Sequence, residues 1–170
     1  MQVYEELDVL SARPPQEDLE QAPHRLYGIM KAQTPCSVGR WLELAVAEIQ
    51  GAWAQGQLPL VVGGTGMYIK ALMEGLAPIP EVPAEARQQA TALHSELGGE
   101  RFKEKLRELD PEAAERLPAG DTQRLIRAYE VALATGRPLS DWQKDHPSEP
   151  PLAASFGVIV LTPEREVLYD

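Results

Sequence analysis

The stretch Leu58-Pro59-Leu60-Val61-Val62-Gly63-Gly64-Thr65-Gly66-Met67-Tyr68-Ile69-Lys70 changes character in its middle. A short apolar run stops at two glycines and a threonine, after which Met67, Ile69, Leu72 and Met73 follow a helical pattern. Such a stretch reads as a buried strand, a tight turn and a helix. In open α/β sheets ligands gather beyond the carboxyl ends of strands, and a glycine pair there lets a substrate approach the backbone. Chemistry is therefore expected near Gly63, Gly64 and Thr65. The turn is not a Walker A loop, because no Lys-Ser or Lys-Thr follows its glycines, and taken alone it is a weak motif.

Working outward, Val38 to Gln55 predicts a helix, with Trp41, Leu44, Ala45, Ile49 and Trp53 at helical spacing, Ser37 as cap and Gly56 as terminator. Glu17 to Leu26 reads as helix then loop, and Met1 to Tyr4 is too short to assign. Helix, strand, helix with an unbroken apolar strand is the pattern of a parallel sheet covered on both faces. Pro78, Pro80 and Pro83 then mark a boundary. Helices follow over Ala84 to Leu97, ended by Gly98-Gly99, and over Arg101 to Leu109. Another starts at Asp110-Pro111, a fourth runs from Asp121 to about Ala134 before Gly136, and a short one spans Pro138 to Lys144.

Residues 81–146 thus read as an all-helical insert in an α/β core formed by 1–80 and 147–170. Within the last segment a proline-rich linker leads to a second buried strand, Phe156 to Leu161, and a helix start at Thr162-Pro163-Glu164. A helix that stops one turn in, at Asp170, leads us to expect a piece of a longer protein.

The 170 residues carry a formal charge of −10, which argues against non-specific nucleic-acid binding, since that affinity comes from Lys and Arg displacing counterions. Ten of the sixteen basic residues nevertheless fall between 81 and 146, where a local basic face can form. No run approaches the roughly 20 apolar residues of a membrane span. A cytoplasmic protein with no membrane partner is expected. The single cysteine, Cys36, excludes an intramolecular disulfide, and His24, His94 and His146 lie too far apart to suggest a metal site.

Arg124 and Arg127 stand three apart on the first turns of one predicted helix, with Gln123 beside them. Two guanidiniums on one face suit phosphate or base-edge recognition. The plainer alternative is a surface helix with intrahelical pairs, Arg127 reaching Glu130 or Asp121.

Taken in order, Met1-Gln2-Val3-Tyr4, Pro23-His24-Arg25-Leu26, Leu60 to Tyr68, Leu72 to Leu76, Asp110 to Ala114 and Gln123 to Val131 resemble the tRNA dimethylallyltransferases over essentially the whole chain. The resemblance implies a P-loop-type, nucleotide- and ATP-binding α/β core with a helical insert, acting with Mg²⁺. It further implies transfer of a dimethylallyl group from dimethylallyl diphosphate to N6 of the adenosine beside the tRNA anticodon, by a monomer. On that basis Met1, Gln2, Thr65, Arg87, Gln123, Arg124, Leu125, Ile126 and Arg127 would meet the tRNA anticodon stem-loop, and Gly63 and Gly64 would line the substrate channel.

Departures from the family pattern are informative. The Lys-bearing phosphate loop and the Asp expected to act as general base are absent and would precede Met1, so the chain by itself is expected not to catalyse and to supply no catalytic or metal-ligating residue. Asp8-Val9-Leu10-Ser11-Ala12-Arg13-Pro14 stands where the family reads Asp-Ile-Gly-Thr-Ala-Lys-Pro. Alternatives are a non-catalytic tRNA-binding remnant and a small-molecule kinase on the same core fold.

Overall fold

The computed structural model describes residues 1–145, 149–164 and 166–167. The chain forms two compact units, Met1–Gly75 with Glu149–Asp170, and Leu76–Ser148.

In the first unit the described helices are α1 (Gln16–Gln21), α2 (Val38–Ala54) and α3 (Gly66–Glu74). The Ser37 hydroxyl accepts from the Arg40 amide at 3.1 Å, satisfying one of the amides that a helix start leaves without a partner. Gly56, at φ 70°, carries the chain out of α2 in a conformation that costs a residue with a Cβ more. Ile49 of α2, Leu72 of α3 and Leu152 form the buried contact between these elements, flanked by Trp41, Leu42 and Val46. Trp41 also stacks on Tyr68, with ring centroids 4.8 Å apart.

Met1 to Tyr4, unassigned from sequence, finds a partner 26 residues downstream. Tyr4 and Met30 form a parallel bridge, the Ile29 amide donates to the Val3 carbonyl at 2.8 Å, and the Glu5 amide donates to the Met30 carbonyl at 2.8 Å. Arg13 donates to the carbonyls of Tyr4 and Glu5 and pairs with Asp8 at 2.6 Å. Its guanidinium pins the first turn of the chain to the following loop.

The parallel sheet expected in this unit is not formed among the described residues. Residues 58–62 and 156–161 carry no strand ladder; Leu60 is 81% exposed and Ile159 88% exposed. The physical reason is that a strand is stabilised by the neighbour that satisfies its amides and carbonyls and covers its side chains. An apolar, β-branched sequence supplies the propensity for a strand and not the neighbour. The helix start expected after Thr162 falls partly on Arg165, which lies outside the described residues, as do His146 and Pro147 of the expected linker.

The regular elements among the described residues of the second unit are all helices: α4 (Ala84–Leu109), α5 (Pro111–Arg116), α6 (Thr122–Thr135) and α7 (Leu139–Lys144). The two helices expected around Gly98-Gly99 are the two halves of α4, bent where Gly98 takes φ 71°. At Gly99 a Cβ would stand 2.1 Å from the Ala119 carbonyl oxygen, so only glycine lets the 118–120 loop lie against the bend. Phe102, Leu106, Ala113, Leu125, Ala128 and Val131 make a fully buried core. Beneath it Asp110 ties three elements together. One carboxylate oxygen accepts from the Ala113 amide at 2.9 Å and the Ser140 hydroxyl at 2.7 Å; the other accepts from the Ser140 amide at 3.0 Å. The residue that caps α5 thereby also fixes the start of α7.

Candidate nucleic-acid interface

Helix α6 is amphipathic, and its periodicity sorts the expected contact residues into two sets. Leu125 and Ile126 are buried in the helical core. Their positions on the inner face, with Leu125 at the spacing of Ala128 and Val131, give both side chains to packing within the segment that the resemblance implies for tRNA contact. Gln123 and Arg124 are exposed, and Arg127 is partly exposed on the same flank as Arg124, one turn on. The Asp121 carboxylate caps the helix by accepting from the Arg124 amide at 3.4 Å, and its second oxygen meets the Arg124 guanidinium at 3.3 Å.

Small residues on α4, Ala86 and Ala90, are buried and allow α6 to lie close. The approach brings Arg87 to Glu130, 43 residues later in the chain. One Glu130 oxygen accepts from Arg87 Nη1 at 3.2 Å, and the other accepts from Arg127 Nη1 at 2.7 Å. The Glu130 side chain is 3% exposed, whereas those of Arg87 and Arg127 are 50% and 43% exposed. One buried negative charge thus lies between two positive groups that reach solvent. The spacing alternative of an Arg127–Glu130 pair is present, and the structure adds a third member that spacing could not reveal. The arrangement groups Arg87 and Arg127 about Glu130, with the exposed Arg124 one turn earlier on α6, inside a protein that is acidic in total.

The other expected residues belong to the first unit. Gly63, Gly64 and Thr65 are exposed, and Thr65 stands at the N-cap of α3 with φ −81° and ψ 89°, its hydroxyl making no capping bond. Met1 is exposed and Gln2 partly so. Gln2 borders a cavity of about 610 Å³ whose walls include Trp41, Ile49, Leu60 and Val62, the last of these adjacent to Gly63. That volume lies in the range of small-molecule sites. Next to it, Tyr68 donates to the Cys36 carbonyl at 3.2 Å and Tyr4 accepts from the Cys36 amide at 3.0 Å. Burial, then the nearby Cys36 and Tyr4, push the Tyr68 hydroxyl above its ordinary value of 10.0. The Tyr4–Cys36–Tyr68 chain was not foreseen from sequence, since each link spans 32 residues.

Among the described residues no group of three or more His, Cys, Asp or Glu converges to hold a metal ion. The Mg²⁺ implied by the resemblance finds no ligand set among the described residues. No described helix is long and apolar enough to cross a membrane.

Comparison with known proteins adds a family. The IPP transferase profile matches residues 2–170. The chain is 48% identical over 169 residues to a tRNA dimethylallyltransferase of Paramagnetospirillum magneticum, covering 99% of this chain and 53% of that protein. It is 49% identical over 165 residues to a tRNA dimethylallyltransferase of Rhodospirillum rubrum, covering 97% and 51%. The chain thus spans about half the length of the curated relatives it matches. A solved structure of a eukaryotic dimethylallyltransferase acting on tRNA shares the fold, with a TM-score of 0.72 at 20% identity over 87% of this chain and 37% of that one.

Proposed function

The chain belongs to the IPP transferase family, and from that premise we propose that it works in the prenylation of tRNA, its helical unit meeting the anticodon stem-loop. In the reaction the N6 amine of the adenosine beside the anticodon attacks the first carbon of dimethylallyl diphosphate. The new N–C bond forms as the C–O bond breaks, diphosphate leaves, and the N6 proton passes to a base. Because N6 is engaged in pairing or stacking until extruded, the adenosine is flipped into its site.

The observation that carries this reading for the present residues is the set Arg87, Arg124 and Arg127, whose side chains are 50%, 75% and 43% exposed, with Arg87 of α4 and Arg127 of α6 meeting at Glu130. Guanidiniums offer a fixed fork of donors to phosphate oxygens, and most protein–nucleic acid hydrogen bonds go to the backbone. Gln123 sits beside them as a neutral donor and acceptor. In the first unit, Gln2 on the cavity wall and the open Gly63-Gly64-Thr65 turn next to that wall support a channel for the flipped base and the prenyl chain. Thr65, with no capping bond of its own, is the residue there with a free hydroxyl to offer.

The exposed apolar runs 58–62 and 156–161 fit strands of the family's P-loop-type sheet, taking partners outside the described residues. The sequence holds no Gly-x-x-x-x-Gly-Lys loop, and no Asp of the chain matches the family's base. The 170 residues on their own therefore bind tRNA without turning it over. The same reading puts the protein in the cytoplasm, where tRNA is, as a monomer. The family match removes the ground for the kinase alternative.

Incubating the 170-residue chain with dimethylallyl diphosphate, Mg²⁺ and an unmodified tRNA tests both halves. The expected result is a complex with tRNA and no prenylated adenosine; absence of binding contradicts the first half, and appearance of product the second.

A further inference from the structure

Glu130 does more than join two helices. A buried carboxylate is expensive to desolvate, and an apolar side chain of similar volume would hold α4 against α6 without that cost. What an apolar residue would not do is hold two guanidiniums. Glu130 presents one oxygen to Arg87 and the other to Arg127. Each arginine gives a single Nη to that carboxylate, and neither guanidinium makes another hydrogen bond among the described residues. About half of each side chain reaches solvent while its anchor is nearly sealed.

We propose that Glu130 is a positioning residue, a buried clamp that fixes Arg87 and Arg127 in register to receive successive phosphates of the RNA backbone. The inference rests on the proposed tRNA contact and adds to it a residue that touches no RNA. A free arginine has many rotamers, and ordering it at the moment of binding opposes association. Here the ordering is complete before the RNA arrives. Two positive groups around one negative leave a net positive charge facing outward, and the burial of Glu130 keeps its own charge away from the phosphates. The clamp also joins residues from separate helices, so the distance between the two guanidiniums is set by the α4–α6 packing and not by a flexible loop.

Two opposed expectations separate this role from simple electrostatics. Removing an acidic group beside a phosphate-binding face strengthens RNA binding if charge alone matters, and weakens it if the clamp matters. The experiment titrates a fluorescently labelled, unmodified anticodon stem-loop with the full chain carrying Glu130→Gln, with Arg87→Ala/Arg127→Ala, and with all three changes. The clamp predicts that Glu130→Gln weakens binding roughly tenfold, the size of one ordered charge-assisted contact, and that the same change has no further effect once both arginines are gone. A general loosening of the fold would weaken binding in both backgrounds.

Equal or tighter binding by Glu130→Gln, with the arginine variant weakened, overturns the clamp and leaves the tRNA reading standing. An arginine variant that binds as well as the parent overturns the reading itself and the clamp with it. Glu130→Met keeps the packing while deleting both hydrogen bonds, so it decides the matter should Glu130→Gln lose helix content. Weakened binding by Glu130→Met supports the clamp, and wild-type affinity overturns it.

Discussion

The Tyr68 hydroxyl donates to the Cys36 carbonyl oxygen at 3.2 Å, joining the first turn of α3 to the residue just before the Ser37 cap of α2. The same ring stacks on Trp41, so one aromatic residue couples two helix starts by a polar and an apolar contact.

That position makes the contact pH-dependent. Burial, followed by Cys36 and Tyr4, raises the Tyr68 hydroxyl above 10.0 in the folded chain. A raised value means that the folded state favours the neutral phenol. The contribution to stability is therefore complete below 10.0 and is lost as pH rises through the folded value above it. Thermal melts followed by tryptophan fluorescence should fall in midpoint above about pH 10. Tyr68→Phe should start about 1 kcal/mol less stable at neutral pH, for its lost hydrogen bond, and show a smaller alkaline decline.

Asp110 supplies a second test, of the helical unit. Its buried carboxylate serves the Ala113 amide, the Ser140 amide and the Ser140 hydroxyl. Asp110→Ala leaves those donors without their partner in a dry core and removes the α5 cap, for a loss of about 2–4 kcal/mol in chemical denaturation. Ser140→Ala, which deletes one donor together with its need, should cost about 1 kcal/mol. Equal losses for the two variants would contradict the three-way role of Asp110.

Thr65 separates structure from recognition in the first unit. Its hydroxyl makes no capping bond and the residue is exposed, so Thr65→Ala should leave the melting midpoint within the small range of surface changes, about 0.5 kcal/mol. Affinity for the unmodified anticodon stem-loop should nevertheless fall several-fold. A variant that binds tRNA as the parent does would take Thr65 out of the contact.

What could be read in the sequence was what is local. Ser37, Asp110 and Asp121 each cap the helix that follows, Gly98 bends α4 and Gly136 closes α6, because caps and glycine turns depend on a few neighbouring residues. The apolar runs 58–62 and 156–161 carried strand propensity, but a ladder needs a neighbour that no local pattern specifies, and none is present among the described residues.

At the candidate site, Arg124 and Arg127 were visible from spacing, and Arg87 came only with the family resemblance. Leu125 and Ile126 lay inside the same motif yet belong to the core, since a run of matched letters does not separate the two faces of a helix. Glu130 looked like an ordinary surface acid within reach of Arg127. Its burial and its second partner, 43 residues away, are tertiary facts. The Tyr4 pairing with Met30 was hidden for the same reason.

The central claim is that the arginine row of the helical unit meets the phosphates of tRNA, and salt-dependent titration of an unmodified anticodon stem-loop tests it most directly. The full chain should bind with an affinity that falls as salt rises. Arg124→Ala combined with Arg127→Ala should weaken binding at every salt concentration and reduce the slope of log affinity against log salt by about one for each phosphate contact removed. Unchanged affinity and slope in that variant, with its helix content intact, would contradict the account.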